Sequence, residues 1–94
     1  MTKVIVQHHV ADYDKWYPIY IDHGKVRKQH GGTGHTIFRG EGDANDLVVV
    51  NSFATPAGAQ AFLADPSLKE AMARATVDSE PKVWVVSEAE DQSY

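Results

Sequence analysis

The sequence predicts an α+β fold, a four-stranded antiparallel sheet with its helices on one face. Three observations carry that expectation. Residues alternate at period two over four short stretches, 3–10, 35–40, 47–53 and 82–88. Between the first and second stretches, and between the third and fourth, the apolar positions fall at helical spacing. Only the polar, glycine-containing residues 41–46 separate the middle two stretches, as a hairpin requires.

Residues 3–10 form the first expected strand, with Val4, Val6, His8 and Val10 on one face and Ile5, Gln7 and His9 on the other. Asp12 is placed to cap a helix, and Asp14 suits its first turn. One helix is expected over 12–30. It gathers Tyr13, Trp16, Tyr17, Tyr20, His23 and Arg27, and positions 13, 16, 17, 20, 24 and 27 lie along one stripe. A helix that only covered a sheet would more often use Leu, Val and Ala, whereas flat rings near a few polar groups suit a pocket wall. Pro18 lacks a donor, which predicts a kink there or a regular helix that starts there. Lys25, Arg27 and Lys28 complement the dipole near the C-terminal end, and Gly31 and Gly32 end the helix.

The second strand, 35–40, sets His35, Ile37 and Arg39 opposite Thr36 and Phe38. The third, 47–53, begins Leu-Val-Val-Val and is apolar on both faces, which marks a central strand. Thr55-Pro56 and Asp65-Pro66 are two successive helix starts, so a helix to about residue 64 breaks and resumes to about residue 75. Phe62, Leu63, Leu68, Met72 and Ala75 supply its buried side. The last strand, 82–88, sets Val83, Val85 and Ser87 opposite Trp84 and Val86. The acidic tail from Glu88 to Tyr94 is expected to be loose.

The order is therefore β-α-β-β-α-β. Right-handed crossovers put both helices on the same face of the sheet, the ferredoxin-like arrangement. The other face is left bare, yet the third and fourth strands are apolar on both sides. An apolar face of several hundred Å² is more than a soluble monomer usually exposes, and burying it is worth on the order of 10 kcal/mol before association costs. A symmetric homodimer, bare face against bare face, is the expected remedy.

At 94 residues the chain is expected to form one domain, 1–94, with 43% hydrophobic and 23% charged residues. No apolar run is long enough to cross a membrane, and the first residues lack the apolar core of a secretory signal. The chain has no cysteine, which excludes disulfides and thiolate metal sites and fits a cytoplasmic protein. A net charge of -4 argues against nucleic acid as a partner. Five histidines are the compositional oddity.

Several of those histidines could carry chemistry. His8 and His9 point to opposite faces of a central strand, so one of them can face a given cavity and act as a general base near neutral pH. His23, one helical turn from Tyr20 and one from Arg27, could orient or protonate a carbonyl. Arg27 could hold a carboxylate or phenolate through paired donors. Asn51 alternates with apolar residues and is either an interface contact or an oxyanion donor. Arg39 reads as an edge residue. No metal site is expected, because the histidines lack i, i+4 pairing and alternation splits His8 from His9. The glycines between His30 and His35 follow a helix and precede a strand, the reverse of a phosphate loop.

The segments ADYDKWYPIYIDH, NDLVVVNSF and SLKEAMARA resemble the dimeric α+β barrel superfamily, and most closely its small antibiotic-biosynthesis-monooxygenase-like or cyclase-like members. The resemblance implies a homodimer with a ligand pocket between the bare sheet face and the first helix. It places Trp16, Tyr20, His23 and Arg27 in the lining region. The superfamily includes cofactor-independent quinol-forming oxygenases, haem-degrading oxygenases, polyketide cyclases, lactone isomerases and proteins without a known reaction. Haem-degrading members carry a first-strand Asn, a third-strand Trp and a second-helix His. Here those elements carry Gln7-His8-His9, Asn51 without a Trp, and no histidine.

The expectation is then a cofactor-free dimer that acts on an aromatic or polyketide-like molecule. The catalytic candidates are His9, His8 and His23. The substrate-binding candidates are Trp16, Tyr20, Arg27, Asn51 and Trp84. The competing readings are a non-catalytic small-molecule-binding or stress-related dimer, and a metal- or haem-binding protein.

Overall fold

The computed structural model describes residues 1–94. Four strands, β1 (Thr2–His9), β2 (Gly32–Arg39), β3 (Asp46–Phe53) and β4 (Lys82–Ser87), form one antiparallel sheet in the order β2-β3-β1-β4. Four helices accompany them: α1 (Tyr13–Asp22), α2 (Gly24–Gln29), α3 (Pro56–Leu63) and α4 (Pro66–Arg74). The expected ferredoxin-like topology is present, with each crossover helix delivered in two pieces.

The local signals explain the breaks. Asp12 accepts from the backbone amides of Asp14 and Lys15, Thr55 from that of Gly58, and Asp65 from that of Ser67. Pro56 and Pro66 occupy the first helical position after their caps, where no amide is needed. The expected single helix over 12–30 is divided, but not at Pro18, which lies inside α1. The division is at His23, which ends α1 and begins α2. Gly31, with φ of 90°, turns the chain after α2, and Gly32 already belongs to β2. A bulge between Gly32 and Gly34 starts that strand earlier than expected.

Alternation decides which side of the sheet is dry. Val4, Val6, His8, Leu47, Val49, Asn51 and Phe53 face the helices and are buried. One cluster packs Val4, Val6 and Phe53 against Ala59 and Phe62. A second packs Val10, Leu47 and Val49 against Trp16 and Ala75. Leu63, Leu68 and Met72 are partly buried around the first. Thr76 adopts a left-handed conformation, φ 63°. Its hydroxyl accepts from the Asp12 amide and donates to the Asp12 carbonyl, and its own carbonyl accepts from Ala11, tying the start of α1 to the end of α4.

The opposite face carries no helix. The register aligns Trp84, Ile5, Val50 and Thr36 in one row, and Lys82, Gln7, Val48 and Phe38 in the next. Trp84, Phe38, Val48 and Val86 are exposed there. No helix is long and apolar enough to cross a membrane.

Candidate functional site

A cavity lies between the helix-covered face of the sheet and the helices, with Trp16, Tyr20, His23, Arg27, His8 and Asn51 among its lining residues. This corrects the expected placement against the bare face. The bare face carries no helix, whereas the cavity is lined by α1 side chains on one side and by β1 and β3 side chains on the other. The open space is small, about 40 Å³. It suits a few water molecules, while an aromatic ring occupies a cavity on the order of 150 Å³. A ring-sized guest therefore needs lining side chains to move.

The aromatic stripe of α1 forms one wall. Trp16 stacks on Tyr20 with ring centres 4.8 Å apart, and Tyr20 meets His35 of β2 edge-on at 5.0 Å. At the start of the helix, Arg39 lies 3.8 Å over the Tyr13 ring and donates from Nε to the Ala44 carbonyl. Tyr17 faces outward and is exposed.

The sheet forms the floor. Asn51 is buried; its Oδ1 accepts from the Tyr20 hydroxyl, and its Nδ2 donates to the Val4 carbonyl at 3.4 Å. Burial pushes the Tyr20 phenol up to about 12, against the opposing pull of Arg27. His8, 3% exposed, meets Trp16 edge-on, and its Nδ1 is buried without a hydrogen-bond partner. Burial lowers its pKa, so the imidazole is neutral with a spare ring nitrogen. An unpartnered buried polar atom costs about 1–3 kcal/mol.

Arg27 closes one end. It is 6% exposed, its Nη2 donates to the Tyr20 carbonyl at 2.9 Å, and its guanidinium lies 3.7 Å over the Tyr20 ring. It has no carboxylate partner within ion-pair distance. Desolvation of a lone ion costs several kcal/mol. Stacking on the ring returns up to about 2 kcal/mol, and a charge-assisted hydrogen bond about 1.5–3 kcal/mol. The residue fits because Gly24 has no side chain: a Cβ there would sit 3.1 Å from Arg27 Nη2. His23 is hydrogen-bonded through Nε2 to the Ser67 hydroxyl at 2.8 Å. Burial, then the Arg27 charge, lowers its pKa.

The structure thus brings His8, His23, Trp16, Tyr20, Arg27 and Asn51 together, and leaves His9 and Trp84 outside. His9, at the far end of β1, has Nδ1 2.6 Å from Asp78 and Nε2 3.2 Å from Asp43, and its hydrogen bond to Asp78 chiefly raises its pKa. Strand alternation alone turns it away from the cavity. Trp84, 48% exposed, lies on the bare face for the same reason. The sequence reading passed over Ser67, whose place as cap-proximal residue of α4 gave no hint of the His23 contact. His9 Nε2, Asp43 and Asp46 have ligand atoms within 4.8 Å of one another. Asp43 and Asp46 are exposed, and His9 is already paired with Asp43 and Asp78.

The fold is that of antibiotic biosynthesis monooxygenase-like structures. SnoaB, a cofactor-independent oxygenase from Streptomyces nogalater, superposes with a TM-score of 0.78 at 12% identity, over 96% of this chain and 94% of that one. A candidate antibiotic biosynthesis monooxygenase from Bordetella bronchiseptica gives 0.79 at 12% identity, over 95% and 97%. A protein of unknown function from Nitrosomonas europaea gives 0.71 at 16% identity, over 99% and 93%. No family model matches the sequence, and no curated protein matches it. At these identities the likeness establishes the fold, while the chemistry has to be argued from the cavity.

Proposed function

We propose that the protein is a small homodimeric enzyme of the cofactor-independent oxygenase or cyclase kind, acting on an aromatic or polyketide-like phenol. The observation that carries this reading is the buried His8, its pKa lowered by burial, lining an apolar cavity beside Arg27 and Asn51. The His8 imidazole accepts a proton from a phenol or an activated C–H, and the anion that forms is stabilised by the Arg27 guanidinium and the Asn51 amide. His23, hydrogen-bonded to Ser67, orients the substrate carbonyl. In the oxygenase version the deprotonated substrate is the reductant. A CH₂ carbon and O₂ give C=O and H₂O, so one oxygen atom stays on carbon and the other leaves as water. In the cyclase version the same carbanion attacks a carbonyl.

The test is oxygen uptake and product formation over a panel of polycyclic phenols. His8→Gln is expected to cut kcat by about 10²-fold or more, with the circular dichroism spectrum unchanged, whereas His9→Gln is expected to stay within about twofold of wild type. An equally fast His8→Gln protein would refute the role of His8. The small volume of the cavity favours one other reading, a non-catalytic binding dimer, which binding without turnover across the panel would select.

The bare face supports the dimer. Trp84, Phe38, Val48 and Val86 are large apolar side chains left in water on one side of a single sheet. A second copy of the same face covers them with self-complementary rows.

A further inference from the structure

We infer that the ligand of this cavity is a carboxylic acid, an apolar or aromatic body whose carboxylate docks on Arg27. This deepens the small-molecule reading above and rests on it. Arg27 borders two spaces. On its inner side is the apolar cavity. On its outer side is an open cleft of about 290 Å³, lined by Lys28, His35, Thr33 and glycines between α2 and β2. Neither lining contains an Asp or Glu, although the chain has 13 acidic residues against 9 Lys and Arg. An acidic protein has thus kept its own carboxylates out of both linings and left a buried guanidinium between them without a counterion.

The geometry divides the ligand into two parts. Tyr20 and Trp16 present rings to the inner space, where an apolar body belongs. Arg27 uses Nη2 on the Tyr20 carbonyl and keeps its remaining donors for a planar, two-oxygen acceptor, which a carboxylate supplies and a neutral phenol does not. Lys28 stands on the outer rim, where its charge adds attraction for an approaching anion. Arg27 is held in its wall by a ring contact and one carbonyl. Turning it toward an anion in the cleft opens the inner space that is too small as it stands.

Isothermal titration calorimetry with 2-naphthoate and its neutral counterpart 2-naphthamide tests this on the wild-type protein. The acid is expected to bind at least about tenfold more tightly than the amide. The preference should shrink as salt rises from low to physiological ionic strength. Arg27→Gln is expected to erase the difference to within about twofold, and Lys28→Gln, on the rim and safe for folding, to weaken the acid alone by about two- to threefold. Should Arg27→Gln not fold, the acid-to-amide ratio and Lys28→Gln decide the matter. Equal affinities, or no binding of the naphthoate at millimolar concentration, would overturn the inference. Acid binding without turnover of any phenol leaves it standing and refutes the enzyme reading. Turnover of neutral phenols with no acid preference does the reverse.

Discussion

Arg27 rests on Tyr20 twice, its guanidinium 3.7 Å above the ring and its Nη2 on the main-chain carbonyl, across the break between α1 and α2. The two residues are seven apart, two turns of an uninterrupted helix. The guanidinium folds back along the helix over Gly24, the first residue of α2. Tyr20 in turn reaches the sheet through Asn51. One chain of contacts therefore runs from the cleft, through Arg27 and Tyr20, to the floor of the cavity.

Removing the Tyr20 hydroxyl leaves the buried Asn51 oxygen without its donor. Tyr20→Phe is expected to lower stability by about 1–3 kcal/mol, as read by urea unfolding, while the ring under Arg27 stays in place. Tyr20→Leu also loses the stacking and is expected to cost a further 0.5–2 kcal/mol or so.

Two glycines separate a functional from a structural constraint. A Cβ at Gly24 meets only the mobile end of Arg27, at 3.1 Å. Gly24→Ala is expected to leave stability unchanged or raise it by up to about 1 kcal/mol, through helix propensity, while weakening 2-naphthoate binding. A Cβ at Gly58 falls 2.2 Å from the His30 carbonyl, a backbone atom that cannot turn aside. Gly58→Ala is expected to cost about 2 kcal/mol or more, as measured by thermal unfolding.

The histidines pull the pH dependence in opposite directions. The pKa of His9 is raised, mainly by its hydrogen bond to Asp78. Its contribution is full below pH 6.5 and fades as the pH rises through the folded value. The pKa values of His8, His23 and His35 are lowered by burial. Their neutral forms contribute fully above pH 6.5, and that contribution is lost as the pH falls toward the folded values. The stability gap between wild type and His9→Gln, from urea unfolding at several pH values, should therefore be wider in mild acid than in mild alkali. Asp65 is held down to about 2, first by its hydrogen bond to His30. Its contribution is present above pH 3.8 and lost as the pH falls through about 2.

The bare face makes a prediction of its own. Wild-type protein at micromolar concentration should scatter light as a dimer, and Trp84→Glu, which sets a charge among the exposed apolar side chains of the bare face, should weaken the dimer by 10²-fold or more, about 3 kcal/mol. A monodisperse wild-type monomer would refute the dimer.

The alternation of Val4, Val6 and His8 against Ile5, Gln7 and His9 was legible in the sequence, and with it the strand order and both helix-bearing crossovers. The caps at Asp12, Thr55 and Asp65 were legible because each is a local side-chain-to-amide contact. Other features depend on what lies opposite in space. The break at His23, in place of Pro18, goes with the folding of Arg27 over Gly24, a contact that no window of sequence displays. His8 and His9 were told apart as opposite faces, but which side holds the cavity depends on how α1 and α4 pack over the sheet. Trp84 shows the same limit, since its type suited a pocket and its register put it outside.

If the proposal holds, the guest sits beneath α1, on the covered face. The chain's two tryptophans report on the two faces separately, Trp16 at the cavity and Trp84 on the bare sheet. In a proton–nitrogen NMR spectrum, 2-naphthoate should shift the Trp16 indole N–H and leave that of Trp84 where it is. A titration that moves Trp84 and spares Trp16 would put the guest on the other side of the sheet and contradict the account.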